Sequence, residues 1–292
     1  MADRPRALAG GAGAGGTASL SWRSGAHSAP GAGVRITYIG HATLLIELEG
    51  RRFLTDPNFD PVLARFLRRV SAPGIAVGDL PPLDAVLVTH AHADHLSLSS
   101  LDSLPADVPV FAPPAVERWL RRIGYGQVVP IAAGASVEIG PIRVHASAAK
   151  HRGSRYGFDQ WAAAANMYLL DSGGVTCFFA GDTALTAATH EAVETHLGER
   201  RLDVALLPIG HASWWKVRYR RGHMTSADAL TLFDRLRARY FIPYHWGTFH
   251  HLTSGPWDGI TRLRAHLTDY PRQQDVRILE PGTIFDLTAA EP

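Results

Sequence analysis

The chain has 292 residues, 46% hydrophobic and 19% charged, with a formal net charge of +2 at pH 7. Its length can bury a substantial core, as one domain of about 250 residues or as two smaller ones. The low charge content excludes a highly charged disordered chain or a coiled coil, and the near balance of charge speaks against a general nucleic-acid binder. A single cysteine, Cys177, leaves no intramolecular disulfide and no cysteine-rich zinc module, while fifteen histidines are a high complement.

Met1–Gly33 is rich in Ala, Gly and Ser, with Arg4, Arg6 and Arg23. It lacks the apolar centre of a secretory signal and reads as a flexible tail on a cytoplasmic protein, a weak export signal being the alternative. No apolar run approaches the ~20 residues of a membrane span. From Val34 the pattern is of short strands: Val34–Ile39, Thr43–Glu49 and Phe53–Thr55, then a buried strand at Ala85–Thr89. Further strands are expected at Val108–Ala112, Ser136–Ile139, Ile142–Ala146, Asn166–Leu170, Val175–Phe179, Val204–Leu207 and Tyr240–Pro243. Helices are expected at Ala115–Ile123, Ala184–Leu197 and Ser226–Arg239, the last with a Thr225/Ser226 cap. A block of strands followed by alternating helices and strands implies a layered α/β domain over residues 34–292.

The chemistry concentrates in His90-Ala91-His92-Ala93-Asp94-His95, directly after the strand Ala85–Thr89. Neutral imidazole and carboxylate are donors for a borderline metal such as zinc, and a loop at a strand end can aim alternate side chains at one point. With no thiolate and more donors than one tetrahedral ion can use, the pattern favours hydrolysis over a closed structural site. His151, Asp182 and His245 each follow a predicted strand, in Ala149-Lys150-His151-Arg152, Ala180-Gly181-Asp182-Thr183 and Tyr244-His245-Trp246-Gly247. Each is weak alone; their shared setting at strand ends gives them weight.

The order His90-x-His92-x-Asp94-His95, His151, Gly181-Asp182-Thr183, His245 resembles the ligand set of the metallo-β-lactamase-fold hydrolases, over essentially Val34 to the C-terminus. Gly40-His41-Ala42-Thr43, Asp56-Pro57, Gly222-His223-Met224 and His245-Trp246-Gly247-Thr248-Phe249 resemble the branch that contains N-acyl-phosphatidylethanolamine phospholipase D, related to the ascorbate-6-phosphate lactonases. The resemblance implies a four-layer αββα sandwich with two metal ions at one edge of the inner sheets. His90, His92 and His151 would hold the first ion, Asp94, His95 and His245 the second, with Asp182 bridging them. Asp56 would fix a ligand imidazole, and catalysis would fall to Asp94 and His223, the latter facing the reacting group. Zinc is the expected metal, manganese or iron being compatible with the same donors.

The activity so implied is a phosphodiesterase of phospholipase D type, in which a metal-bridging hydroxide attacks an anionic phosphodiester of a small molecule or lipid. A lactonase or other carboxylic ester hydrolase is the alternative, and a non-catalytic metal-binding or sensing protein is the alternative of another class. Ala93, Arg152 and Leu96-Ser97-Leu98 depart from the phospholipase pattern and bear on substrate, not on the ligands. Trp215, Arg218 and Arg152 are candidate substrate contacts, since arginine pairs bidentately with phosphate; the basic aromatic loop 214–221 reads equally as a solvated surface. Peripheral membrane contact is compatible with this reading, nucleic acid is not expected, and the oligomeric state is open. His41 reads as structural and near the pocket, and His211 as equally structural or groove-lining.

Overall fold

A computed structural model describes residues 21–22, 33–63, 66–155, 164–210, 217–250 and 255–288. Most of the predicted tail, together with Trp214, Trp215, Lys216, His211 and His251, lies outside the described residues, as does the side chain of Arg218. The first half of the chain runs β1 (Ser21–Trp22), β2 (Gly33–Gly40), β3 (Thr43–Leu48), β4 (Arg51–Thr55), β5 (Val62–Leu63), β6 (Leu67–Arg68), β7 (Ala85–Leu87), α1 (Leu98–Asp102), β8 (Val110–Ala112), α2 (Pro114–Arg122) and β9 (Val128–Pro130). It continues with β10 (Ser136–Ile139), β11 (Ile142–Ala148), β12 (Asn166–Asp171), β13 (Thr176–Phe179), α3 (Ala187–Leu197) and β14 (Val204–Pro208). The last part contains α4 (Val217–Arg220), α5 (Ser226–Leu236), β15 (Tyr240–Tyr244), α6 (Asp258–Leu267) and β16 (Ile284–Thr288).

Two seven-stranded sheets result, in the orders β16-β2-β3-β4-β7-β8-β9 and β1-β10-β11-β12-β13-β14-β15. Both are mixed: β4, β7, β8 and β9 run parallel in one sheet and β13, β14 and β15 in the other, next to antiparallel strands β16 to β4 and β10 to β13. Successive side chains of a strand point to opposite faces, and the first sheet uses both. Val34, Ile36 and Tyr38 of β2, Leu44, Ile46 and Leu48 of β3, Phe53 of β4 and Ala85 and Leu87 of β7 pack into the core shared with the second sheet. Ile39, Leu45, Leu54, Val86 and Val88 alternate with them into a separate core with Leu101, Val116 and Leu120 from α1 and α2. On the far side, Val193 of α3, Leu232 and Phe233 of α5 and Leu263 of α6 cover the second sheet. The architecture is an αββα sandwich. Tyr168 clasps the two sheets through a hydroxyl that donates to the Val88 carbonyl at 2.7 Å.

Several boundaries differ from the sequence reading for local reasons. The helix expected from Ala184 begins at Ala187, because Thr183 and Ala184 are tied to Lys150 and Thr186 caps the helix at Thr189 N–H. The helix expected to reach Arg239 stops at Leu236, where Arg237 turns left-handed at φ 49°. Thr89 leaves the β7 ladder because Asp56 accepts its N–H at 2.7 Å. β9, β16, α1 and α6 are elements that the sequence reading did not identify. Ser21–Trp22, within the stretch expected to be a tail, runs parallel beside β10.

Candidate metal centre

The residues that resemble a ligand set converge where strands of both sheets end. His41 follows β2, Asp56 follows β4, His90 to His95 follow β7, His151 follows β11, Asp182 follows β13 and His245 follows β15. Two groups of four donors form, His90, His92, His151 and Asp182 in one, His41, Asp94, His95 and His245 in the other, with the donor atoms of each group within 4.8 Å of one another.

In the first group His92 Nδ1 lies 3.0 Å from His90 Nε2 and 3.1 Å from His151 Nε2. Hydrogen bonds behind the rings decide which nitrogen faces inward. The Thr89 hydroxyl donates to Asp56 at 2.7 Å, so its oxygen is left to accept from His90 Nδ1–H at 2.9 Å. His151 Nδ1–H donates to the Gly222 carbonyl at 2.8 Å. His90 Nε2 and His151 Nε2 therefore present lone pairs to the same point. A single His92 proton could satisfy only one of them, whereas a shared cation satisfies all three nitrogens.

In the second group Asp94 Oδ2 lies 3.0 Å from His41 Nε2 and 3.8 Å from both His95 Nε2 and His245 Nε2. Asp182 stands between the groups, with one oxygen 3.3 Å from His95 Nε2 and from His223 Nε2 and the other 3.3 Å from His245 Nε2. His95 Nδ1–H is spent on Asp56 at 2.7 Å, so its Nε2 also faces inward. Four buried side-chain polar atoms among the described residues have no hydrogen-bond partner, and three of them meet here: His95 Nε2, His245 Nε2 and Asp182 Oδ1. Buried polar atoms are rarely left unpaired, and these are the atom types that bind divalent metal. The donor set fits metal ions.

The electrostatics of most of these donors agree with that chemistry, His95 being the exception: burial opposes its charge, but Asp182, Asp94 and Asp56 raise it well above the usual histidine range. Burial, reinforced by neighbouring imidazoles, holds His90 well below the usual histidine range, and burial with His245 nearby puts His41 at about 3. Burial likewise lowers His151 to about 3 against the pull of Asp182. These rings are neutral, the form that coordinates metal. Burial opposes the charge of Asp94 and Asp182, but the surrounding imidazoles outweigh it and keep both carboxyls well below their ordinary value.

Backbone geometry is strained at the same edge. His41, Asp56 and His245 adopt positive φ of 56°, 34° and 69°, uncommon for residues with a Cβ and concentrated at functional sites. Gly181 precedes Asp182 at φ 56°, where a Cβ would lie 2.7 Å from Thr89 Cγ2. Tyr244 braces that turn by donating its hydroxyl to the Gly181 carbonyl at 2.5 Å. His223 lies at the mouth, its ring stacked on Tyr219 at 4.3 Å and its Nδ1–H donating to the Tyr219 carbonyl at 3.1 Å. Arg152 is exposed. His41 is the residue that the sequence reading placed near the pocket but not in the donor set; its signal was the Gly40-His41-Ala42-Thr43 element.

A family model for the beta-lactamase superfamily domain matches residues 51–246, well over half of the chain, and the chain belongs to that family. Its fold is that of the metallo-β-lactamase superfamily. An N-acyl-phosphatidylethanolamine-hydrolyzing phospholipase D of Caenorhabditis elegans is 28% identical over 236 residues, covering 74% of this chain; the chain spans 65% of that relative's length. A UPF0173 metal-dependent hydrolase of Deinococcus radiodurans is also 28% identical, over 87% of this chain and 100% of that protein. The fold is shared with Igni18, a metallo hydrolase of Ignicoccus hospitalis, at a TM-score of 0.65 and 22% identity over 87% of this chain and 98% of the other. It is shared as well with an isothiocyanate hydrolase from Delia radicum gut bacteria, at a TM-score of 0.69 and 20% identity over 87% and 100% of the two chains.

Proposed function

We propose that the chain is a phosphodiesterase of phospholipase D type that works with two divalent ions, zinc by preference, on an anionic phosphodiester of a small molecule or lipid. The observation that carries this reading is the pair of four-donor groups joined by Asp182, whose two oxygens face His95 and His245. His90, His92 and His151 would hold one ion and Asp94, His95 and His245 the other, with Asp182 shared. Ions bound there would activate water near neutral pH and offset the charge on phosphoryl oxygens. The name of the nematode relative supports a phosphodiester over other esters.

The chain's own contribution to bond cleavage would come from His223. Its Nδ1 proton is committed to Tyr219, so the second proton of the imidazolium sits on Nε2, beside Asp182. Burial opposes that charge, but Asp182 overcomes it and raises the imidazole above its ordinary value. A proton held at Nε2 can steady the developing negative charge or pass to the leaving oxygen. Arg152, Arg218 and Trp215 remain the candidate contacts to an anionic headgroup.

The test pairs elemental analysis with hydrolysis of bis(p-nitrophenyl) phosphate and a panel of lactones, before and after chelation. About two ions per chain, with phosphodiester turnover lost on chelation, is the expected result. Turnover of lactones alone would replace the phosphodiesterase with a carboxylic ester hydrolase, and no turnover after reloading would favour a binding protein. His223→Ala is expected to lower turnover by roughly 10²–10⁴-fold and to leave metal content intact. Loss of metal in that variant would remove His223 from the proton-transfer role.

A further inference from the structure

His41 stands outside the ligand set that the sequence resemblance implies, yet the fold builds it into the second donor group. It is 6% exposed, and its Nε2 is 3.0 Å from Asp94 Oδ2. Its ring centroid is 4.0 Å from that of His245 and 5.5 Å from that of His95. The backbone is shaped for this position. His41 occupies the turn between β2 and β3, where the register shifts between Tyr38 and Gly40. The His41 N–H donates to Thr248 Oγ1 at 2.7 Å, and its carbonyl accepts the His245 N–H at 2.9 Å. Two residues with positive φ, on turns distant in sequence, are thus bonded directly to each other, each presenting an imidazole to the same carboxylate. Strain of this kind persists where surrounding structure enforces it.

We propose that His41 is a protein ligand of the second metal ion, beside Asp94, His95, His245 and the shared Asp182. This rests on the two-ion reading above and adds a donor to it. The His41 donor atom lies within 4.8 Å of those of Asp94, His95 and His245, and with Asp182 shared it would raise the protein donors at the second ion from four to five, a coordination number that catalytic zinc can reach. The contrasting role is that of a positioning residue, in which His41 only hydrogen-bonds Asp94 and never touches the ion.

The two roles separate spectroscopically. The full chain, labelled with ¹⁵N-histidine, is loaded with ¹¹³Cd, and imidazole nitrogens bonded to cadmium are identified by their ¹¹³Cd–¹⁵N splitting. Splitting at His41 Nε2 alongside His95 and His245 is the expected result. An unsplit His41 beside split His95 and His245 would overturn the proposal while leaving the two-ion reading intact. If neither His95 nor His245 is split and only one ion is taken up, the two-ion reading itself fails, and the proposal with it.

His41→Gln supplies an independent reading, since glutamine keeps a hydrogen bond to Asp94 but offers no imidazole. With folding checked by circular dichroism, competition against a chelator should show one of the two ions bound roughly 100-fold more weakly, a loss at the upper end of that caused by removing the partners of metal ligands. Wild-type affinity for both ions would mean that the hydrogen bond suffices and would overturn the proposal. A variant that does not fold leaves the cadmium measurement on the wild-type chain to decide.

Discussion

Asp56 shows how one buried side chain organises several others. It has no exposed surface, and it accepts from Thr89 N–H, the Thr89 hydroxyl and His95 Nδ1–H, each at 2.7 Å. The first bond ends the β7 ladder. The second makes the Thr89 oxygen an acceptor for His90, and the third turns His95 Nε2 inward. Asp56→Ala would leave three donors in a dry interior with no acceptor. Breaking a buried charged pair costs about 3–5 kcal/mol, and the loss of such partners lowers metal affinity 10–100-fold. Urea unfolding of the metal-stripped chain, with a chelator competition on the loaded one, measures both. A variant that lost stability and kept full metal affinity would show that Asp56 holds the fold but does not orient the ligands.

At the scale of elements, the connections after the strands carry the site, and glycine decides whether one of them can close. Gly181 has φ 56°, and an added Cβ would meet Thr89 Cγ2 at 2.7 Å, Thr89 Cβ at 2.9 Å and the Asn166 carbonyl at 3.1 Å. Thr89 cannot retreat, because its N–H and hydroxyl are committed to Asp56. Gly198, beyond α3, has φ 58° with nothing within 4 Å of an added Cβ. Alanine is strained at both positions, at Gly198 by a backbone whose ψ of −122° lies outside the left-handed helical region, and only at Gly181 does it add a collision. Gly181→Ala should lose about 1–3 kcal/mol to the overpacking alone. A total loss below about 1 kcal/mol in urea unfolding would refute the steric account.

For the whole molecule, gathering many imidazoles at one sheet edge makes stability depend on pH when metal is absent. Burial lowers His90 and His92 and places His41 and His151 at about 3, against an ordinary value of 6.5. Between those values the unfolded chain binds more protons than the folded one, so their contribution is complete above pH 6.5 and is lost as pH falls toward 3. His95 and His223 act in the opposite sense. Burial opposes their charge, but Asp182 and Asp94 raise both, so their contribution is complete below pH 6.5 and fades as pH rises through their folded values. The stripped chain should therefore be most stable near neutrality, with a steep decline on the acid side. Urea midpoints measured over that range at constant ionic strength test this; a profile flat below pH 6.5 would contradict it.

The strands of the core and the chemistry of the first cluster were legible because each is written locally. Alternation at Val34, Ile36 and Tyr38 is a property of one strand, and His90-x-His92-x-Asp94-His95 places its donors within a single loop. Among the elements that escaped reading, α6 and β16 are recognisable chiefly by what they cover: Leu263 packs on the second sheet, and β16 pairs with β2, more than 240 residues away along the chain, while Ile284 stays 54% exposed.

By itself, then, the sequence determined a layered α/β domain and the donor types, since hydrophobic period and residue chemistry need no partner to be read, and the αββα sandwich entered only as what the resemblance implied. The resemblance had already implied Asp182 between two metal groups, and only the tertiary structure decided which nitrogens face inward and that His41 meets Asp94 at 3.0 Å. Those facts depend on backbone bonds between turns far apart in sequence, such as His41 to His245, and no local pattern encodes them.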